Sequence, residues 1–298
     1  MLTRKGLIII ALALLAASYP RFLRDVTVAE DKPSASQNAV LPRRYAQLKK
    51  LVPAPVKKAP VPAAFLVRRM ITMGPTAPSL LPVVDQPDIE DRHQKIANDV
   101  LMALPEKCRN TLQKLYVRYD NPSQRGLAGK NTLIVTGNVS DQEFLALLVH
   151  ELGHVFDLNS DTRCLAGSPA AGLSEFKDGA DPVYKNDPSL SFYRIAWVGP
   201  KEQKAGVKPA DFVSGYAAHD VFEDFAESHA YFVLHNEVFK ERAAENKMIA
   251  AKYEWFRTNM YSNGVNFAQT RETWTGSVPW DITKLTYDWT GVTKIANR

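Results

Sequence analysis

Apolar and polar positions change their period several times along the chain, and each change marks an element. Over Asp88–Ala103 and Glu106–Leu115 apolar residues recur at helical spacing, with Pro105 between the two runs. LYVRY (115–119) and NTLIVTG (131–137) are rich in β-branched and aromatic side chains and predict strands, separated by the turn-rich DNPSQRGLAGK. Ser140 and Glu143 then stand at capping-box spacing, so a helix starts there and continues through the strongly apolar QEFLALLVHELGHVFDL (142–158). A loop-rich stretch follows from Asn159 to about Asp211. Two further helices are expected, roughly His219–Asn236 and Glu237–Met260, before an aromatic, irregular tail, WTGSVPWDITKLTYDWTG (274–291). The pattern predicts an α+β domain, mostly helical, with a small sheet preceding the apolar helix.

Composition separates this domain from what precedes it. The 298 residues, 45% apolar, suffice for one large domain with appendages. Ten of the 19 prolines fall between Asp31 and Asp88, in phrases such as VPAPVKKAPVP. Proline removes amide donors and fixes φ, so residues 25–87 are expected to form an extended spacer and the folded domain to occupy 88–298. Lys and Arg outnumber Asp and Glu by 13 to 4 up to Pro87, whereas the remainder is mildly acidic, 24 against 28. A nucleic-acid binder should carry its basic patch on the folded part, so that class is set aside. The basic arm is instead expected to lie along anionic lipid headgroups.

At the N-terminus Arg4 and Lys5 precede an apolar run from about Leu7 to Tyr19. That is short for a membrane span and suits the core of a signal peptide or a short anchor over residues 1–24. Either reading places the domain outside the cytoplasm, periplasmic or at the cell surface. In such a compartment Cys108 and Cys164 are candidates for one bridge.

The chemistry concentrates in VHELGHVFDL (149–158). On a helix His150 and His154 share one face, one turn apart, and present two imidazoles to one point. Zinc accepts neutral imidazole nitrogens readily, and a catalytic site uses three protein ligands and an open position. Glu151 lies roughly 100° around the helix and can reach that position as a general base. Burying imidazoles and a carboxylate in an otherwise apolar helix is costly unless they are partnered. The longer motif that supplies a third histidine locally is absent, because Asp157 stands where it wants glycine and Ser160 where it wants histidine.

SGYAAHDVFEDFAESHAYFVLH (214–235) is the best source of a third ligand. Glu223 and Glu227 are one turn apart on one helical face; one can bind the ion while the other accepts a hydrogen bond from a ligating histidine. Asp224 is expected to face solvent. His229 and His235 are expected to be peripheral, and His93 to lack a partner. His219 is either an oxyanion donor or a surface residue at the helix start. Asp157, one turn after His154, is a candidate to orient a ligand. NTLIVTG could be an edge that aligns an extended peptide, or a buried structural strand.

The pairing of HELGHVFD with YAAHDVFEDFAES resembles the zinc peptidase family of anthrax lethal factor and the Pro-Pro endopeptidases. In that family the HExxH helix is followed by a tyrosine and, seven residues later, by a glutamate in a phrase like E-x-F-A-E; here Tyr216 precedes Glu223 by seven. The resemblance covers about Leu115–His235. It implies a zincin-like fold in which His150, His154 and Glu223 bind zinc. Glu151 would be the general base, Tyr216 the transition-state stabiliser and Glu227 the partner of a ligating histidine. The activity implied is hydrolysis of a protein or peptide substrate. This chain departs from the pattern in SPAAGLSEFKDGADPVYKNDPSLSFYRIAW (168–197), expected to reshape the substrate cleft. Two other classes fit the same motifs: an envelope protein that keeps zinc for stability, and a zinc amidase acting on cell-wall peptides.

Overall fold

The computed structural model describes residues 89–120, 124–158, 165, 167–262, 268–269 and 281–289. The leader and proline-rich arm expected from the sequence lie outside these residues, as does Cys164; Cys108 is fully buried.

Helix α1 (Asp91–Ala103) buries His93, Ala97, Val100 and Leu101, a stripe at the spacing that one helical face requires. Pro105 then leads a single turn, α2 (Glu106–Arg109), shorter than the run to Leu115 expected from periodicity. The sheet overrides that run: the amides of Gln113 and Lys114 both donate to the Asn131 carbonyl, and β1 (Lys114–Arg118) begins. Strand β3 (Thr132–Thr136) pairs with β1 in parallel, Leu115 opposite Leu133 and Val117 opposite Val135. A short strand, β2 (Gly126–Ala128), adds antiparallel to its other side, giving the order β1-β3-β2. The strand NTLIVTG is therefore central and buried, and the edges are β1 and β2, the latter inside the segment expected to be all turn. Three residues, the first a glycine, are too few for a period of two to show.

Alternation sorts the sheet's two faces. Leu115, Val117, Leu133 and Val135 join the main core, whereas Tyr116, Leu127 and Ile134 form a separate apolar cluster. The core face packs on α3 (Asp141–Leu158), which is buried continuously from Phe144 to Asp157. Ser140 caps α3, its hydroxyl accepting the Glu143 amide at 3.2 Å. The Glu143 carboxylate does not complete a capping box; it pairs with Arg125 at 2.8 Å and with Lys284.

The stretch expected to be loop carries more order than its composition suggests. A hairpin, β4 (Leu173–Asp178) with β5 (Asp181–Tyr184), turns at Gly179, whose φ of +59° suits glycine. Helix α4 (Ser189–Ala196) and a two-stranded ribbon of β6 (Trp197–Gly199) and β7 (Glu202–Gln203) follow. Helix α5 (Val221–Leu234) is buried along its whole length and packs most extensively on α3. The expected helix over Glu237–Met260 is two helices, α6 (Asn236–Glu245) and α7 (Lys247–Asn259). Asn246 divides them: its backbone is extended, and its side-chain oxygen accepts the amides of Met248 and Ile249 to cap α7. Strands β8 (Ala268–Gln269) and β9 (Asp288–Trp289) pair near the C-terminus, and a 3-10 turn at Ile282–Lys284 packs on α3 and α5. None of the described helices is long and apolar enough to cross a membrane.

Candidate metal centre

Close approach of α3 and α5 creates the site, and the glycine inside HELGH permits it. A Cβ on Gly153 would lie 3.0 Å from the Ala226 Cα and 3.2 Å from the His229 Cβ, so even an alanine would require α5 to give by a few tenths of an ångström. The start of α5 is fixed by Asp220, whose carboxylate accepts the amides of Phe222 and Glu223 at 3.0 and 2.9 Å. Glu223 is thereby held in the first turn, facing the histidines of α3.

Three donor atoms converge. Oε2 of Glu223 lies 3.2 Å from Nε2 of His154 and 3.4 Å from Nε2 of His150, and the three residues form a buried group able to hold a metal ion. Donors placed about 2.0–2.1 Å from a tetrahedral ion stand roughly 3.3–3.4 Å apart, so the two distances to Glu223 match a zinc-sized centre, with all three donors within 4.8 Å of one another. Other ions share this ligand set, and the spacing alone does not choose between them. The carboxylates of Glu223 and Glu227 hold the His150 imidazole well above its ordinary value, overcoming burial, which pulls the other way. Negative charge that favours a proton on His150 favours a cation for the same reason.

Glu227, one turn along α5 from Glu223, places Oε1 2.7 Å from Nδ1 of His150. The contact is short but poorly aligned as a hydrogen bond. Its Oε2 accepts the Ser214 hydroxyl at 2.5 Å and the Ile282 amide at 3.0 Å. Burial pushes the Glu227 carboxyl up, against the contacts to His150 and Ser214 that pull it down. Tyr216 sits in the turn before α5, partly exposed, with its ring centroid 6.2 Å from that of His150. Glu151 is 6% exposed, and its carboxylate packs where a Cβ on Gly126 would collide with it. The edge strand β2 therefore runs directly past Glu151.

The other residues singled out in the sequence fall elsewhere. Asp157 accepts the Tyr193 hydroxyl at 2.7 Å, a contact to α4 and not to a candidate ligand. His219 is exposed beside Asp220, with its ring 6.1 Å from Tyr216. Asp224 does not face solvent: it is fully buried and bonds Lys252 and Trp197, because α5 is covered on this side by α7. His93 has a partner, the Tyr119 hydroxyl at 2.8 Å. His229 and His235 are buried, not peripheral. His229 bonds the Val149 carbonyl through Nδ1 and the Tyr261 hydroxyl through Nε2, which makes it a neutral Nδ1–H tautomer. Sequence reasoning missed Gly126, Gly153, Ser214 and the Ile282 amide. Only the glycine within HELGH carried any signal, as a small residue on a helix that must be crossed closely.

Burial lowers His229 to about 3 and His235 to about 4. An unfolded chain takes up protons on both below about pH 6.5, while the folded chain does not, so their stabilising effect is complete above that pH and is lost as pH falls towards 4 and 3. Between pH 6.5 and 5 each should cost up to about 2 kcal/mol. Urea unfolding with chelator present throughout should show that decline. His235→Phe, which removes a ring nitrogen without a partner, should remove about half of it, the His229 share remaining. An equally steep decline in the variant would remove His235 from the cause.

Comparison with family models, curated proteins and solved structures finds no match to this chain. Fold and site together define a mixed α+β protein with a buried His-His-Glu group able to hold a metal ion.

Proposed function

We propose that the chain is an exported zinc-dependent endopeptidase with a zincin-like domain. The convergence of Glu223 with His150 and His154 carries this reading, with Glu151 next to the two histidines on α3. A zinc ion held there supplies a Lewis acid for a peptide carbonyl and lowers the pKa of water. His150, His154 and Glu223 donate the lone pairs that hold it. Glu151 takes a proton from the attacking water and passes it to the leaving amine. The Tyr216 hydroxyl donates a hydrogen bond to the oxyanion that develops on the scissile carbonyl. Strand β2, with no strand on its outer side among the described residues, offers backbone groups to an extended peptide next to Glu151. The basic, proline-rich arm and apolar leader of the sequence support export of this domain to a membrane surface.

The near-complete burial of the three ligands favours a second reading, in which zinc only stabilises the protein. One experiment separates the two. The full chain is assayed for metal content and for cleavage of a proteome-derived peptide pool, before and after chelation and zinc return, with purified peptidoglycan digested in parallel. About one zinc per chain and peptide cuts that vanish and return with the metal are expected. Bound zinc whose removal lowers the melting temperature, with no peptide cut at any stage, would overturn the endopeptidase reading. Cuts confined to peptidoglycan would replace it with an amidase.

A further inference from the structure

Ser214 is fully buried, and its hydroxyl joins two parts of the centre that are otherwise separate. As an acceptor it takes the Ala217 amide at 2.9 Å, closing the turn that carries Tyr216. As a donor it reaches Oε2 of Glu227 at 2.5 Å. A hydroxyl has one proton, and Ala217 can only donate to it, so that proton is committed to Glu227. The Ile282 amide is a second donor to the same oxygen. Oε1, left without a donor of its own, stands 2.7 Å from Nδ1 of His150; rotation of the ring into line would make it the acceptor for an Nδ1–H and leave the Nε2 lone pair towards Glu223 and His154.

We propose that Ser214 is a positioning residue of the centre: through Glu227 it fixes the tautomer and direction of the His150 imidazole, and through its turn it sets Tyr216 beside the same ring. This rests on the metal-binding part of the reading above, not on hydrolysis. A serine that only fills space would lose nothing at His150 when its oxygen is removed.

The test is a double-mutant cycle on zinc affinity, measured by competition with a chromophoric chelator on full-length wild type, Ser214→Ala, Glu227→Gln and the double variant. Melting temperatures of the four metal-free proteins check that each is folded. Ser214→Ala is expected to weaken zinc binding by about 10-fold, the usual scale for removing a group that supports a ligating histidine. In the Glu227→Gln background the same change should cost less than about 2-fold, because the route through which it acts is gone. Unchanged affinity in Ser214→Ala, or an equal loss in both backgrounds, would overturn the proposal and leave the centre standing. A folded wild type that takes up no zinc would overturn the centre and this proposal with it.

Discussion

Glu151→Gln is expected to keep one zinc bound and to lose peptide hydrolysis by about 10²–10⁴-fold, the range general-base catalysis supplies. Glutamine preserves the size and the hydrogen-bonding oxygen of Glu151, so the close packing against Gly126 survives. What it cannot do is accept and return a proton. The metal ligands lie on the other donor atoms, Nε2 of the two histidines and Oε2 of Glu223, and none is altered. Metal analysis and the rate on a peptide from the cleaved pool, measured on the same preparation, check both halves. A variant that hydrolyses at the wild-type rate would take Glu151 out of the proposed mechanism, and one that loses its zinc would make it a support of the ligand shell.

Lys252→Met should destabilise the fold by about 3–5 kcal/mol, the usual effect of breaking a buried ion pair by removing one partner. Lys252 and Asp224 are fully buried and lie 2.8 Å apart. The ammonium also donates to the Asp211 carbonyl at 3.0 Å and stands 4.1 Å from the Phe212 ring centre. Burial raises Asp224 and lowers Lys252, each against the pull of the other, so neither charge is tolerated alone. Methionine fills the stem's space but strands the carboxylate, to which Trp197 and Ser228 still donate. Adding Asp224→Asn should recover much of the loss. Urea unfolding of both variants measures this; a single variant as stable as wild type would mean that the pair contributes nothing net.

The elements legible in the sequence were those whose period is set by one dominant face. Helix α3 announced itself through Ser140 and a long apolar run, and β1 and β3 through β-branched and aromatic density. The juxtaposition of His150 and His154 followed from helical geometry alone, and the meeting with Glu223 was expected from the second motif. What stayed hidden depended on tertiary partners. Asp224 reads as a polar residue on a helix until α7 supplies Lys252, and His229 reads as peripheral until Tyr261 and the Val149 carbonyl close around it. Strand β2 is too short to announce itself, and Asn246 breaks a helix whose apolar pattern runs on through it. Ser214 acts through a single oxygen, and nothing in its neighbours' periodicity marks it.

The Ile282 amide, 132 residues beyond His150 in the chain, supplies one of the two donors to the carboxylate behind that histidine. Arg125 secures the same segment by bonding Glu143, Asp281 and Thr283, so the far end of the polypeptide is clamped onto the start of α3. The last support of the proposed centre is therefore made late in the chain's biosynthesis. A nascent polypeptide that has emerged as far as α5 already carries all three candidate donor atoms, yet the second donor to the carboxylate behind His150 arrives only when the ribosome has delivered residue 282.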